Sequence, residues 1–119
     1  MNSKIKKVGI IIFLITFIIT ITSCTQRDEK KDLLAKCLTE KGAKFYGSFQ
    51  CPHCAEQKKI FASSIEFVDY IECGPLSGPQ SKICSINNIE KYPTWIINDT
   101  KYLGVRELED LSALTNCPF

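Results

Sequence analysis

The sequence holds one histidine, His53, in 119 residues. No second histidine and no Ser/Asp pair stands with it, which argues against a general-base or histidine-metal role. The basic residues form no patch or stripe of the kind a nucleic acid requires. There is no internal repeat and no low-complexity segment, so repeat architectures are excluded. The longest apolar stretch, Val8 to Ile21, is broken only by Thr16 and Thr20. It falls short of the about 20 residues that a membrane span needs.

That stretch carries its own message. Lys4, Lys6 and Lys7 precede it and small residues follow it. A basic start, a short apolar run and small residues describe a secretory signal peptide over residues 1–23. Ile21-Thr22-Ser23-Cys24 resembles the lipobox of bacterial lipoproteins. The resemblance implies cleavage after Ser23 and a diacylglyceryl group on Cys24. The other reading is an uncleaved anchor with an incidental cysteine. Either way the domain is expected outside the cytosol, anchored to a bacterial membrane. Without the three leading lysines, 12 basic residues face 13 acidic ones, so the apparent basicity belongs to the signal. Residues 24–31 read as a polar tether. Residues 32–119 read as one small domain, of a size that cross-links help to stabilise.

Seven cysteines are present. With Cys24 lipidated, an even set remains: Cys37, Cys51, Cys54, Cys73, Cys84 and Cys117. Cys51 and Cys54 pair by proximity. Cys73 and Cys84 flank a turn-rich loop, Gly74 to Pro79, and a bond there is worth about 3 kcal/mol in the chain-entropy model. Cys37 and Cys117 are then left to each other by arithmetic alone. Zinc held by Cys51, Cys54, Cys73 and Cys84 is disfavoured, because the second pair lacks the close spacing of a zinc ribbon. No metal and no cofactor is expected.

Leu33, Leu34, Cys37 and Leu38 recur at helical spacing up to Gly42. Ala43–Phe49 reads as a strand and residues 55–63 as a helix. Ile65–Glu72 alternates and reads as a second strand. Pro79 or Gln80 opens a helix to Asn87, with Asn88 suited to a left-handed cap. Thr94–Ile97 reads as a buried strand, and Asn98-Asp99 turns it into a hairpin with Lys101–Gly104. Leu108, Leu111 and Leu114 mark a last helix. This order predicts an α/β fold, a mixed four-stranded sheet flanked by helices. Trp95, Phe45, Tyr46, Phe49 and Phe61 read as packing residues.

Cys51-Pro52-His53-Cys54 lies between the first strand and its helix. C-x-x-C in that setting is a thioredoxin-like redox motif. Cys51 occupies the expected N-cap, with Pro52 at the first helical position. The helix dipole and His53 would both favour a thiolate at Cys51, so Pro52 and His53 are read as tuning it. Cys54, one turn in, is expected to be buried and less acidic. A stabilised Cys51 thiolate makes the disulfide more oxidising.

Gly42 to Cys54, Glu72-Cys73, Cys84, Tyr92 to Asn98 and Tyr102 to Arg106 together resemble the thioredoxin-like domain of bacterial vitamin K epoxide reductase homologues. The resemblance covers nearly all of residues 32–119. It implies Cys51 and Cys54 as the exchanging pair and Cys73–Cys84 as a structural bond. It also implies a cis Tyr92–Pro93 bond facing the pair, where Tyr92 and Pro93 would bind an extended substrate. In that family the domain passes electrons between secreted proteins and a four-helix membrane enzyme that reduces quinone. This sequence does not contain the four-helix core, so a separate membrane partner is implied. The expected function is extracytoplasmic thiol-disulfide exchange with secreted proteins, in the oxidising direction. A reductase or isomerase is the alternative, as is a disulfide-stapled binding lipoprotein with an inert pair.

Overall fold

The structure, a computed structural model, describes residues 3–9 and 27–119. The lipobox and Cys24 lie outside the described residues. Among those described, no helix is long and apolar enough to cross a membrane.

Helix α1 spans Glu29–Glu40 and is capped by Asp28, whose side chain accepts from Lys30 N and Lys31 N. That cap starts the helix three residues ahead of the expected domain boundary at 32. Arg27 pairs with Glu66 and approaches Asp32, so the last tether residues are already part of the fold. Asp32 is buried and accepts from Ser64 Oγ at 2.6 Å. Leu34, Ala35 and Leu38 form the buried stripe of α1, whereas Leu33 is exposed. The helix ends as predicted at Gly42, at φ +75°. There Ala43 N donates to Leu38 O and Gly42 N to Thr39 O, a Schellman closure.

Strand β1 is Lys44–Gly47, shorter than the expected Ala43–Phe49. Helix α2 is Pro52–Phe61. A 3-10 turn over Ala62–Phe67 follows, where the alternation had suggested a strand. Ala62 at φ 53° breaks the helix, and Ser64 turns inward to Asp32 instead of extending. Strand β2 is therefore only Tyr70–Glu72. Helix α3 is the short Lys82–Ile86. Asn88, at φ 51°, closes it with Ile89 N donating to Cys84 O, as its position predicted. Strands β3, Thr94–Ile97, and β4, Thr100–Leu103, are joined through Asn98 and Asp99, both at positive φ. Two left-handed residues in a two-residue turn suit the twist of a hairpin. Helix α4 is Leu108–Thr115, with Leu108 and Leu111 buried.

The sheet order is β2-β1-β3-β4. β1 runs parallel to β2 and antiparallel to β3, and β3 runs antiparallel to β4. The sheet is mixed, as the order of elements predicted. Alternation along each strand sorts the side chains onto two faces. Phe45, Trp95 and Ile97 pack with residues of α1, α2 and α4. Tyr46, Cys73, Cys84 and Ile89 form the second, smaller cluster on which α3 sits. Phe45 stacks on its cross-strand partner Trp95 at 5.1 Å and meets Tyr70 edge-on at 4.9 Å. Such cross-strand aromatic pairs hold the register of the central strands. This four-stranded mixed sheet with helices on both faces is a thioredoxin-like fold.

Candidate active site

β1 ends beside the N-terminus of α2, so the residues between them are held at the edge of the sheet. Cys51 is the N-cap of α2, in extended geometry, and Pro52 is the first helical residue. Both features match the reading of the sequence. Ser48 makes the turn. It is 1% exposed, its O accepts from Cys51 N at 3.1 Å, and its Oγ accepts from Gln50 N at 3.2 Å.

Cys51 is 7% exposed and Cys54 1%, and neither is in a disulfide. The other four cysteines in the domain form two bonds, Cys37–Cys117 and Cys73–Cys84. The four-cysteine zinc alternative does not survive this pairing. Burial pushes the Cys54 thiol up to about 12; the neighbouring Cys51 adds to the rise, while Ser48 N–H and Lys58 work against it. The sequence expected Cys54 to be buried and less acidic than a free thiol.

The Tyr92–Pro93 bond is cis, Pro93 is buried, and Tyr92 O lies 3.8 Å from Cys51 Sγ. Tyr92 and Pro93 are thus brought to Cys51, the place the resemblance implied. Tyr92 Oη accepts from Gln80 Nε2 at 2.6 Å, which also donates to Ile89 O. His53 points into solvent, its side chain 72% exposed, with Nδ1 3.6 Å from Glu56 Oε2. Phe49 is a correction: it is 66% exposed and not a packing residue. β1 has already ended, so the pleat no longer directs its side chain to the core.

Several residues at the site were not singled out from the sequence. Gly47 is the first. A Cβ there would sit 2.9 Å from Cys54 Sγ and 3.0 Å from the Tyr70 ring. The missing side chain makes the space that Cys54 fills. Gly47→Ala is expected to cost about 1–3 kcal/mol, as overpacking does, and to displace Cys54. Denaturant titration of the reduced protein checks this; an unchanged midpoint would show that the neighbours yield freely.

Gln57 is the second. It is completely buried on the same face of α2 as Cys54 and Phe61. Its Oε1 accepts from Trp95 Nε1 at 3.1 Å and Arg106 N at 2.7 Å, and its Nε2 donates to Arg106 O at 2.9 Å. A buried amide with these partners satisfied fixes the depth and rotation of α2 against the sheet. Trp95 is thereby both core, as expected, and an anchor for the helix that carries the thiols.

Glu72 is the third. Its Oε1 accepts from Phe49 N at 3.1 Å and Gly74 N at 2.9 Å, and its Oε2 accepts from Tyr70 Oη at 2.6 Å. Its carboxyl sits below the ordinary range: partial burial opposes this, but the bonds from Tyr70, Gly74 and Phe49, with Lys58 nearby, outweigh it. Tyr70 is shifted the other way, by burial first and then by its bond to Glu72. The loop closed by Cys73–Cys84 is stitched to the same turn. Ser48 Oγ donates to Gly74 O, Leu76 N to Gln50 Oε1, and Cys73 N to Gly47 O. No composition or spacing signal marks the bonds that tie Phe49, Ser48, Gln50 and Gly47 to this loop, because each joins residues more than twenty positions apart.

The arrangement offers a near-surface sulfur at a helix N-terminus, a second sulfur beneath it, and a backbone carbonyl beside it. It can exchange a disulfide. No family profile matches the chain. Over 87 residues, 69% of its length, the chain is 42% identical to the thiol-disulfide oxidoreductase LTO1 of Arabidopsis thaliana. The match covers 23% of that protein, so the chain spans less than a quarter of the relative's length. The chain is a thioredoxin-like domain, similar in sequence to one part of a thiol-disulfide oxidoreductase.

Proposed function

We propose that this protein is an extracytoplasmic thiol-disulfide oxidoreductase that exchanges disulfides with secreted proteins through Cys51 and Cys54. The observation that carries the reading is the separation of roles among six cysteines. Four are committed to two bonds, and the remaining two sit at the start of α2 with different exposure. The similarity to LTO1, whose name states this chemistry, supports it.

The direction is oxidising. A substrate thiolate attacks Cys51 Sγ in the Cys51–Cys54 disulfide, and Cys54 leaves. A second substrate thiol then attacks the mixed disulfide, releasing the oxidised substrate and Cys51 as a thiolate. The N-terminus of α2 favours that anion. His53 and Pro52 belong to this tuning, and Tyr92 and Pro93 to substrate alignment. The two electrons left on the dithiol pass to a membrane quinone-linked partner of the vitamin K epoxide reductase type. Lipidated Cys24 keeps the domain beside that partner on a bacterial membrane.

Thiol trapping in intact cells tests the direction. Cys51–Cys54 is expected to be mostly disulfide at steady state. A pair found mostly as dithiol would replace the oxidase with a reductase. A Cys51→Ala strain indistinguishable from wild type in disulfide formation would leave only a binding lipoprotein.

A further inference from the structure

Exchange needs two thiolates in turn, and the structure treats them differently. Cys51 has a helix N-terminus. Cys54 is almost fully buried, one turn inside the helix, and burial disfavours its charged form. Some positive charge has to face it when it acts. Lys58 is four residues further on, and residues four apart share one helix face. Its ammonium is not free to wander. Nζ is held 3.7 Å from the centre of the Tyr70 ring, a cation–π contact. Tyr70 is in turn fixed by its 2.6 Å bond to Glu72 and by Phe45. The gap at Gly47 brings this ring and Cys54 Sγ to the same missing methyl group, at 3.0 Å and 2.9 Å from it.

We propose that Lys58, held over the Tyr70 ring, supplies the positive charge that supports the Cys54 thiolate when it attacks a mixed disulfide on Cys51, with Tyr70 and Glu72 as positioning residues. The inference rests on the proposed exchange reaction, in which the reduced pair gives up its electrons through a mixed disulfide between Cys51 and a disulfide-bearing partner, the substrate of this step. In the step, Cys54–SH gives its proton to solvent and its sulfur forms a bond to Cys51 Sγ. The Cys51–substrate bond breaks, and the substrate sulfur leaves with the electron pair and takes up a proton. The groups facing Cys54 are few. α2 contributes Cys51 and Lys58, and β2 contributes Tyr70 and, through it, Glu72. β1 brings Gly47 and Phe45, and the turn after it the Ser48 N–H, none of them ionisable. Lys58 is the one cation in the set, and it acts against the rise that burial imposes on Cys54.

The magnitude follows from the charge. One cation nearby is worth about one pKa unit, or tenfold in thiolate fraction. The more basic thiolate is the better nucleophile, with a Brønsted slope of about 0.4–0.5, which returns about threefold. Lys58→Met should therefore slow resolution about threefold and Lys58→Glu about tenfold, while Lys58→Arg keeps the rate.

The test uses the full chain carrying Cys24→Ser in detergent, with only the Cys51–Cys54 pair reduced. An aromatic disulfide whose released thiolate is coloured reacts with it in two phases. The first release reports attack by Cys51, the second resolution by Cys54. The expected result is a graded loss in the second phase alone, following charge from Arg through Met to Glu. Equal second-phase rates in all variants would overturn the inference, as would equal losses in Met, Glu and Arg, which mark a packing role. A first phase that survives Cys51→Ser would instead overturn the exchange reading on which it rests.

Discussion

Replacing Cys54 with serine is expected to leave a protein that captures partners carrying a disulfide and does not release them. Cys51 remains near the surface at the head of α2, beside Tyr92 O, and can still form a mixed disulfide. The sulfur beneath it is gone. Completing the exchange then depends on a thiol from solution, because return attack by the partner's own thiol only restores its starting disulfide. Well-oriented intramolecular attack has effective molarities of about 10⁵ M or more, against millimolar external thiol. Turnover should fall by at least about a thousandfold. Non-reducing electrophoresis should show adducts on Cys54→Ser that vanish on reduction and never form on Cys51→Ser. Wild-type turnover by Cys54→Ser would exclude Cys54 from the reaction.

The second large effect is on stability. Cys37–Cys117 closes a loop with a sequence separation of 80, and Cys73–Cys84 one of 11. The chain-entropy model puts the first at about 4.5 kcal/mol and the second at about 3 kcal/mol. Small domains hold about 5–15 kcal/mol in total. The double substitution of Cys37 and Cys117 by alanine should therefore leave a marginally folded protein. Activity should follow the opposite order below the unfolding transition. The shorter loop is bonded to Ser48, Gln50 and Gly47 just before Cys51, whereas the backbone bonds of Cys37 and Cys117 run to Lys41 and Ser112, away from that turn. Paired denaturant titrations and exchange assays check both halves. A larger stability loss from opening Cys73–Cys84 would contradict the loop-length argument.

Much of the fold was readable because its signals are local. The C-x-x-C motif with Pro52 marks a helix start within four residues. Gly42, Asn88 and Asn98-Asp99 each stand where a left-handed backbone was required. The pairing of Cys37 with Cys117, left by elimination, is formed with Cα atoms 5.8 Å apart. What misled was also local. Ile65 to Glu72 alternates like a strand, but Ser64 finds Asp32 and the backbone winds into a 3-10 turn. Phe49 looked like an extension of β1, but Glu72 claims its N–H and the strand stops. The parts of the site that were not readable are contacts across the fold. Gln57 meets Arg106, Lys58 meets Tyr70, and Gly47 makes way for Cys54. Each residue alone is an unremarked Gln, Lys or Gly; Lys58 and Gly47 meet Tyr70 only where β2 lies beside β1, and Gln57 meets its partners only where α2 packs on Trp95 and Arg106.

The long disulfide also decides how the domain bears mechanical load. Cys37 lies in α1 and Cys117 just past α4, so the bond joins the chain near its entry to the fold and near its exit. A pull applied before α1 and after Cys117 can peel the first turns of α1 and then reaches the sulfur bridge. From there the tension crosses from Cys37 to Cys117 through covalent bonds. The four strands, the turn at Ser48 and both reactive sulfurs hang from that bridge as a slack loop. A load applied between the two ends of the fold is carried past the exchange site and not through it.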